Sequence, residues 1–112
     1  MALTVYEKPA CSTCRNLREL LDERGVEYTT VDYISRGLPA AKIRELLEKA
    51  GLAAREAVRA REAESQEIAP DEDDAAIVAR MAANPALLQR PFVEAGDRAV
   101  LARPVELALE LL

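Results

Sequence analysis

The sequence predicts an α/β domain built on a four-stranded mixed sheet, ordered β-α-β, then helices, then β-β-α. Three observations predict it. A strand, a helix and a second strand fit within the first 33 residues, which implies a parallel pair joined by a right-handed crossover. The middle of the chain carries helical periodicity. Near the C-terminus two short apolar runs flank Gly96-Asp97, a hairpin signal.

Each element follows from its local pattern. Leu3 to Tyr6 reads as a short buried strand, and Pro9 breaks the chain after it. From Ser12 to Arg24 the apolar positions Leu17, Leu20 and Leu21 keep a helical period, which Gly25 stops. Val26 to Tyr33 is rich in Val, Tyr and Thr and reads as the second strand. Leu38 to Ala50 is helical, with Pro39 near its start and Gly51 at its end. A further helical stretch is expected from about Ala53 into the charged segment Arg59 to Glu67. Pro70-Asp71-Glu72-Asp73-Asp74 reads as a capped helix start, with acids at the positive helix end. That helix runs through Ile77, Val78 and Met81 to Asn84-Pro85, with Ala86-Leu87-Leu88 beyond. Pro91 to Glu94 and Ala99 to Leu101 read as the hairpin strands, and the chain returns to helix from Pro104.

Composition bounds the function. The 112 residues, half of them hydrophobic, suffice for one domain with a real core. A net charge of -5 argues against nucleic acid as the main partner. Arginine outnumbers lysine twelve to three, which suits oxyanion or carboxylate recognition or reflects a GC-rich genome. No run approaches the ~18 apolar residues of a membrane span, and the N-terminus lacks a signal-peptide pattern, so a cytoplasmic location is expected. With no histidine and two cysteines, a structural zinc site within the chain is not expected.

The chemistry centres on Pro9-Ala10-Cys11-Ser12-Thr13-Cys14-Arg15, between the first strand and the first helix. A thiol at a helix N-terminus meets unpaired N–H groups and the positive end of the macrodipole, which favour the thiolate. Cys11, ahead of the helix body, is the expected nucleophile. Cys14 lies one turn later on the same face. It is placed either as a resolving thiol or as a small core residue. Arg15 either positions the loop or faces solvent. On spacing alone, Arg59 reads as a partner in surface i,i+4 ion pairs, and Arg90 and Arg103 as residues preceding prolines near strand edges.

Four pieces carry this pattern into a family resemblance. They are the cysteine segment, Val58-Arg59-Ala60-Arg61-Glu62, Met81-Ala82-Ala83-Asn84-Pro85 leading to Leu88-Gln89-Arg90-Pro91-Phe92-Val93, and Ala102-Arg103-Pro104-Val105-Glu106. In this order they resemble the ArsC/Spx/YffB family of arsenate reductase-like proteins, a branch of the thioredoxin-like fold. The resemblance implies a thioredoxin-like core at residues 1–34 and 86–112, with a helical insertion at 35–85. It implies that Cys11 attacks arsenate, that Arg59, Arg90 and Arg103 surround the oxyanion, and that Arg90-Pro91 is a cis peptide facing the cysteine loop. Ser12, Thr13 and Arg15 join the expected substrate-binding set, the first two through backbone donors at the helix start.

The implied protein is a monomeric thiol oxidoreductase that holds no cofactor. Glutathione with glutaredoxin, or thioredoxin, would supply the electrons. A cysteine at position 14 is more typical of the Spx branch, where the pair is a disulfide switch in a regulator that binds RNA polymerase. Glu7 and Lys8 also stand where many arsenate reductases carry other residues. A redox regulator and a reductase of another substrate therefore remain as alternative readings.

Overall fold

Leu3–Glu7 (β1) lies inside the sheet, and its apolar residues are buried on both faces. The computed structural model describes residues 2–112. The other strands are Tyr28–Asp32 (β2), Phe92–Ala95 (β3) and Arg98–Leu101 (β4). The sheet order is β2-β1-β3-β4. β1 pairs parallel with β2 and antiparallel with β3, and β3 pairs antiparallel with β4. This is the mixed, thioredoxin-like sheet that the order of elements implies. The period-2 alternation of strand side chains splits β1, with Leu3 and Val5 facing one layer and Tyr6 the other.

Two cores result. On one face, Ser12–Glu23 (α1) places Leu17 and Leu21 against Leu3, Val5 and Val93. The C-terminal helix seals the same layer with Ala108 and Leu111. On the other face, Ala40–Ala50 (α3) and Asp74–Ala83 (α4) pack Ile43, Leu46, Leu47, Ile77 and Met81 against Tyr6 and Phe92. Asp73 caps α4 by accepting from the Ala76 N–H at 2.8 Å, so part of the acidic run is a helix cap. Gly51 ends α3 at φ 68°, and Gly96 opens the β3–β4 turn at φ 61°, both left-handed positions that favour glycine.

Three expectations need correction. The stretch from Ala53 to Glu67 is not one helix. It is two 3-10 turns, Ala54–Ala57 and Ala63–Glu67, separated at Val58 by an antiparallel bridge to Leu88. The backbone there is committed elsewhere: Arg59 N–H donates to Leu87 O at 2.7 Å, and Gln89 N–H to Ala57 O at 2.8 Å. The second strand ends at Asp32, and Tyr33–Arg36 (α2) is a helical turn in which the Asp32 carboxylate accepts from Ser35 N–H. The C-terminal helix, Val105–Leu111, is 3-10 rather than α, and its threefold spacing turns Val105, Ala108 and Leu111 to one core.

Charged side chains hold the chain between β2 and β3 in place. Arg55 donates to the carbonyls of Ala69, Pro70 and Glu72, and Arg80 bonds Glu64 and Glu72. The expected i,i+4 ion pairing of Arg59 is absent among the described residues, because the chain is not helical there and Arg59 donates to Gln89.

Candidate active site

The cysteine loop leaves β1 at Glu7 and enters α1 at Ser12. Cys11 N–H donates to Lys8 O at 2.9 Å, closing a turn that places Cys11 at the N-cap of α1. Its side chain is half-buried at the wall of a cavity of about 550 Å³. The walls are Lys8, Ala10, Cys11, Ser12 and Thr13 from the loop, Arg59, Ala60 and Arg61 from the insertion, and Gln89, Arg90 and Arg103. No carboxylate lines it, and among the described residues none of its five cations forms a salt bridge. In a chain of net charge -5, this is a concentration of positive charge.

The fold brings Arg59, Arg90 and Arg103 together from three separate segments. Arg59 is held by the Val58–Leu88 bridge, and its Nη1 donates to Gln89 Oε1 at 2.9 Å. Arg90 is 3% exposed, and its Nη1 donates to Ala86 O at 3.2 Å. Its buried Nε has no hydrogen-bond partner among the described residues. Arg103 donates Nε–H to Arg90 O at 2.6 Å. Both Arg90-Pro91 and Arg103-Pro104 are cis peptides, and sequence reading anticipates only the first. Burial, then the neighbouring charges of Arg90 and Arg103, lower the pKa of Arg59. Like charges held this close make a receptor for an anion.

The two cysteines differ sharply. Burial raises the Cys11 pKa, but the Cys14 N–H, the Cys14 thiol, the Thr13 N–H and the Arg90 side chain outweigh it and bring the pKa to about 7. No close side-chain capping bond is formed at Cys11, so this stabilisation belongs to the thiolate with those donors nearby. Cys14 is fully buried, and burial is the main cause that pushes its pKa up to about 12. The negative charges of Cys11 and Glu7 push the same way. The two thiols are thus poised differently, Cys11 as the more acidic and Cys14 as a protonated neighbour that favours the Cys11 thiolate.

Of the residues singled out from sequence, Cys11, Ser12, Thr13, Arg59, Arg90 and Arg103 share the cavity. Cys14 lies behind Cys11, in the core. Arg15 is exposed on α1 and lies outside the cavity walls, so its expected place in the substrate-binding set is not seen. Pro91 follows Arg90 at the start of β3. Sequence reading misses Lys8, Arg61, Gln89 and Tyr33 as site residues. Tyr33 O–H donates to Leu88 O at 2.6 Å, and the nearby Arg90 charge opposes the rise that burial gives the Tyr33 pKa. Gln89 was findable only as the neighbour of Arg90. Glu7 is buried and ion-paired with Arg18, which also reaches Pro9 O at 3.3 Å and so braces the loop.

Comparisons with known proteins find relatives over nearly the whole chain. The ArsC family model matches residues 6–111. The chain is 33% identical to an arsenate reductase of Rhizobium meliloti strain 1021 over 115 aligned positions, covering 100% of this chain and 82% of that protein. It is 36% identical to the uncharacterised protein YfgD of Escherichia coli K12, covering 96% and 93% of the two chains. The solved arsenate reductase of Vibrio cholerae superposes with a TM-score of 0.93 at 29% identity, covering 100% and 98%. No helix among the described residues is long and apolar enough to cross a membrane. A family model matching nearly the whole chain, relatives above 30% identity and a superposable fold establish that the chain belongs to the ArsC family.

Proposed function

We propose that the chain is a thiol-dependent reductase that converts arsenate to arsenite. The observation that carries this reading is the convergence of Arg59, Arg90 and Arg103 on a cavity walled by Cys11, a thiol with a pKa of about 7. The curated relatives named arsenate reductase support it.

Arsenate at neutral pH is a tetrahedral oxyanion, so a thiolate attacking it must overcome repulsion between two anions. Permanently charged guanidinium forks offset that repulsion and can bind oxygens in pairs. The backbone donors at the start of α1 point to the same place. Cys11 Sγ displaces one arsenate oxygen, which leaves as water, and forms a sulfur–arsenic bond. A second thiol then attacks Cys11 Sγ. As the new disulfide forms, the electron pair of the sulfur–arsenic bond stays on arsenic, which departs as arsenite. Overall, one arsenate and two thiols give one arsenite, one disulfide and one water.

The second thiol is an external one in this reading, from glutathione with glutaredoxin or from thioredoxin. The burial of Cys14 and its raised pKa support an external donor. The Cys14 thiol, donating toward Cys11, favours one other reading: a disulfide switch of the Spx type. A coupled arsenate-reduction assay with glutathione/glutaredoxin and with thioredoxin tests the proposal. Turnover with either donor, lost in Cys11→Ser, supports it. No turnover with either, together with capture of the RNA polymerase α-subunit domain, supports the switch.

A further inference from the structure

We propose that Gln89 is a neutral member of the oxyanion site. Its carbonyl oxygen sets Arg59, and its amide NH2 donates to the bound anion. This rests on the oxyanion reading of the cavity and goes beyond the cysteine and three arginines.

The hydrogen bonds determine which way the amide points. Gln89 Oε1 accepts from Arg59 Nη1 at 2.9 Å and from the Arg90 backbone N–H at 3.3 Å. Both partners are donors, and an amide nitrogen accepts nothing, so the oxygen must occupy this position. Nε2 is then the free end of the side chain, and it donates to none of the described residues. The Gln89 side chain lines the same cavity as Cys11.

Gln89 is also fixed through its backbone. Its N–H donates to Ala57 O at 2.8 Å, beside the Val58–Leu88 bridge that carries Arg59. One residue therefore joins the segment of Arg59 to that of Arg90, just ahead of β3. An amide suits this position electrostatically. A carboxylate would neutralise Arg59, and another cation would add repulsion to a crowded positive cluster. The amide adds donors without changing the charge.

The test follows protection of Cys11 from iodoacetamide by phosphate, an oxyanion the thiol cannot reduce, alongside arsenate KM and kcat. The variants are Gln89→Leu, Arg59→Ala and the double variant, each checked for folding by circular dichroism. Gln89→Met, of similar length and without an amide, serves if the leucine variant does not fold. In Gln89→Leu, phosphate protection should weaken on the order of tenfold, as for loss of about one hydrogen bond to a charged group. In the Arg59→Ala background the same substitution should still weaken it several-fold. Protection unchanged within twofold in Gln89→Leu overturns the proposal. An effect that vanishes in the Arg59→Ala background overturns the donor assignment, because Gln89 then acts only through Arg59. A wild-type protein that phosphate does not protect overturns the oxyanion reading and this inference together.

Discussion

Arg103 donates its Nε–H to the backbone carbonyl of Arg90 at 2.6 Å, so one guanidinium of the site is aimed by the main chain of another. The bond links the segment just before β3 to the segment just after β4. It leaves the two Nη groups of Arg103 for a ligand. Lysine could keep the charge but not this fork. Arg103→Lys is therefore expected to lower kcat/KM for arsenate by about 10–100-fold with little change in melting temperature. Steady-state kinetics with a thermal melt checks it.

Cys11 should titrate near neutrality. With its pKa at about 7, its rate of alkylation should rise through a midpoint close to that pH. Cys14, buried with a pKa of about 12, should stay unlabelled in the folded protein over the same range. Mass spectrometry of partially labelled protein distinguishes the two thiols, and equal labelling at neutral pH would contradict this assignment.

The Cys14 thiol helps to hold that low value. Burial opposes the Cys11 thiolate, and the donors around it, Cys14 among them, reverse the effect. Cys14→Ala should move the Cys11 midpoint upward, whereas Cys14→Ser, which retains a hydroxyl donor, should move it less. The same pair of variants reports on turnover. Unchanged kcat in Cys14→Ser with glutathione/glutaredoxin is the outcome expected if an external thiol resolves the intermediate.

Away from the site, Glu94 on β3 accepts from Tyr6 O–H at 2.8 Å, Lys42 Nζ at 2.9 Å and Lys49 Nζ at 2.5 Å. Burial raises its pKa, but the two lysines and Tyr6 outweigh that and lower it to about 2. A carboxylate with a depressed folded-state pKa stabilises above its ordinary value near 4.5, and this contribution is lost as pH falls through about 2. Glu94→Gln should cost about 1–2 kcal/mol at neutral pH, reduced by partial exposure. The gap between the two proteins should close on acidification, as followed by urea melts across that range.

Much of the fold is legible in the chain. Tight local signals mark β1, α1, α3, α4 and the Gly96-Asp97 hairpin, because periodicity, caps and turn glycines act within a few residues. The region from Ala53 to Glu67 misleads. Its charged, alanine-rich pattern suits a helix, yet the chain is drawn into a bridge with Leu88, thirty residues further on. Helical propensity is worth only tenths of a kcal/mol per residue, and that contact overrides it.

The site divides in the same way. The sequence by itself pointed to Cys11 as the reactive thiol, since a helix N-terminus after a buried strand is a local feature and there is no histidine to compete. Motif order, through the family resemblance, also singled out Arg59, Arg90 and Arg103. Only the tertiary structure decided that Arg59, Arg90 and Arg103 face Cys11 while Arg15, four residues from that cysteine, faces solvent. It also decided that Gln89 holds Arg59 in place, that Tyr33 is buried near Arg90 and that Cys14 is withdrawn into the core. The physical reason is range. A thiol at a helix start is tuned by neighbours on its own turn, but an anion site needs charges from segments that meet only when the sheet closes.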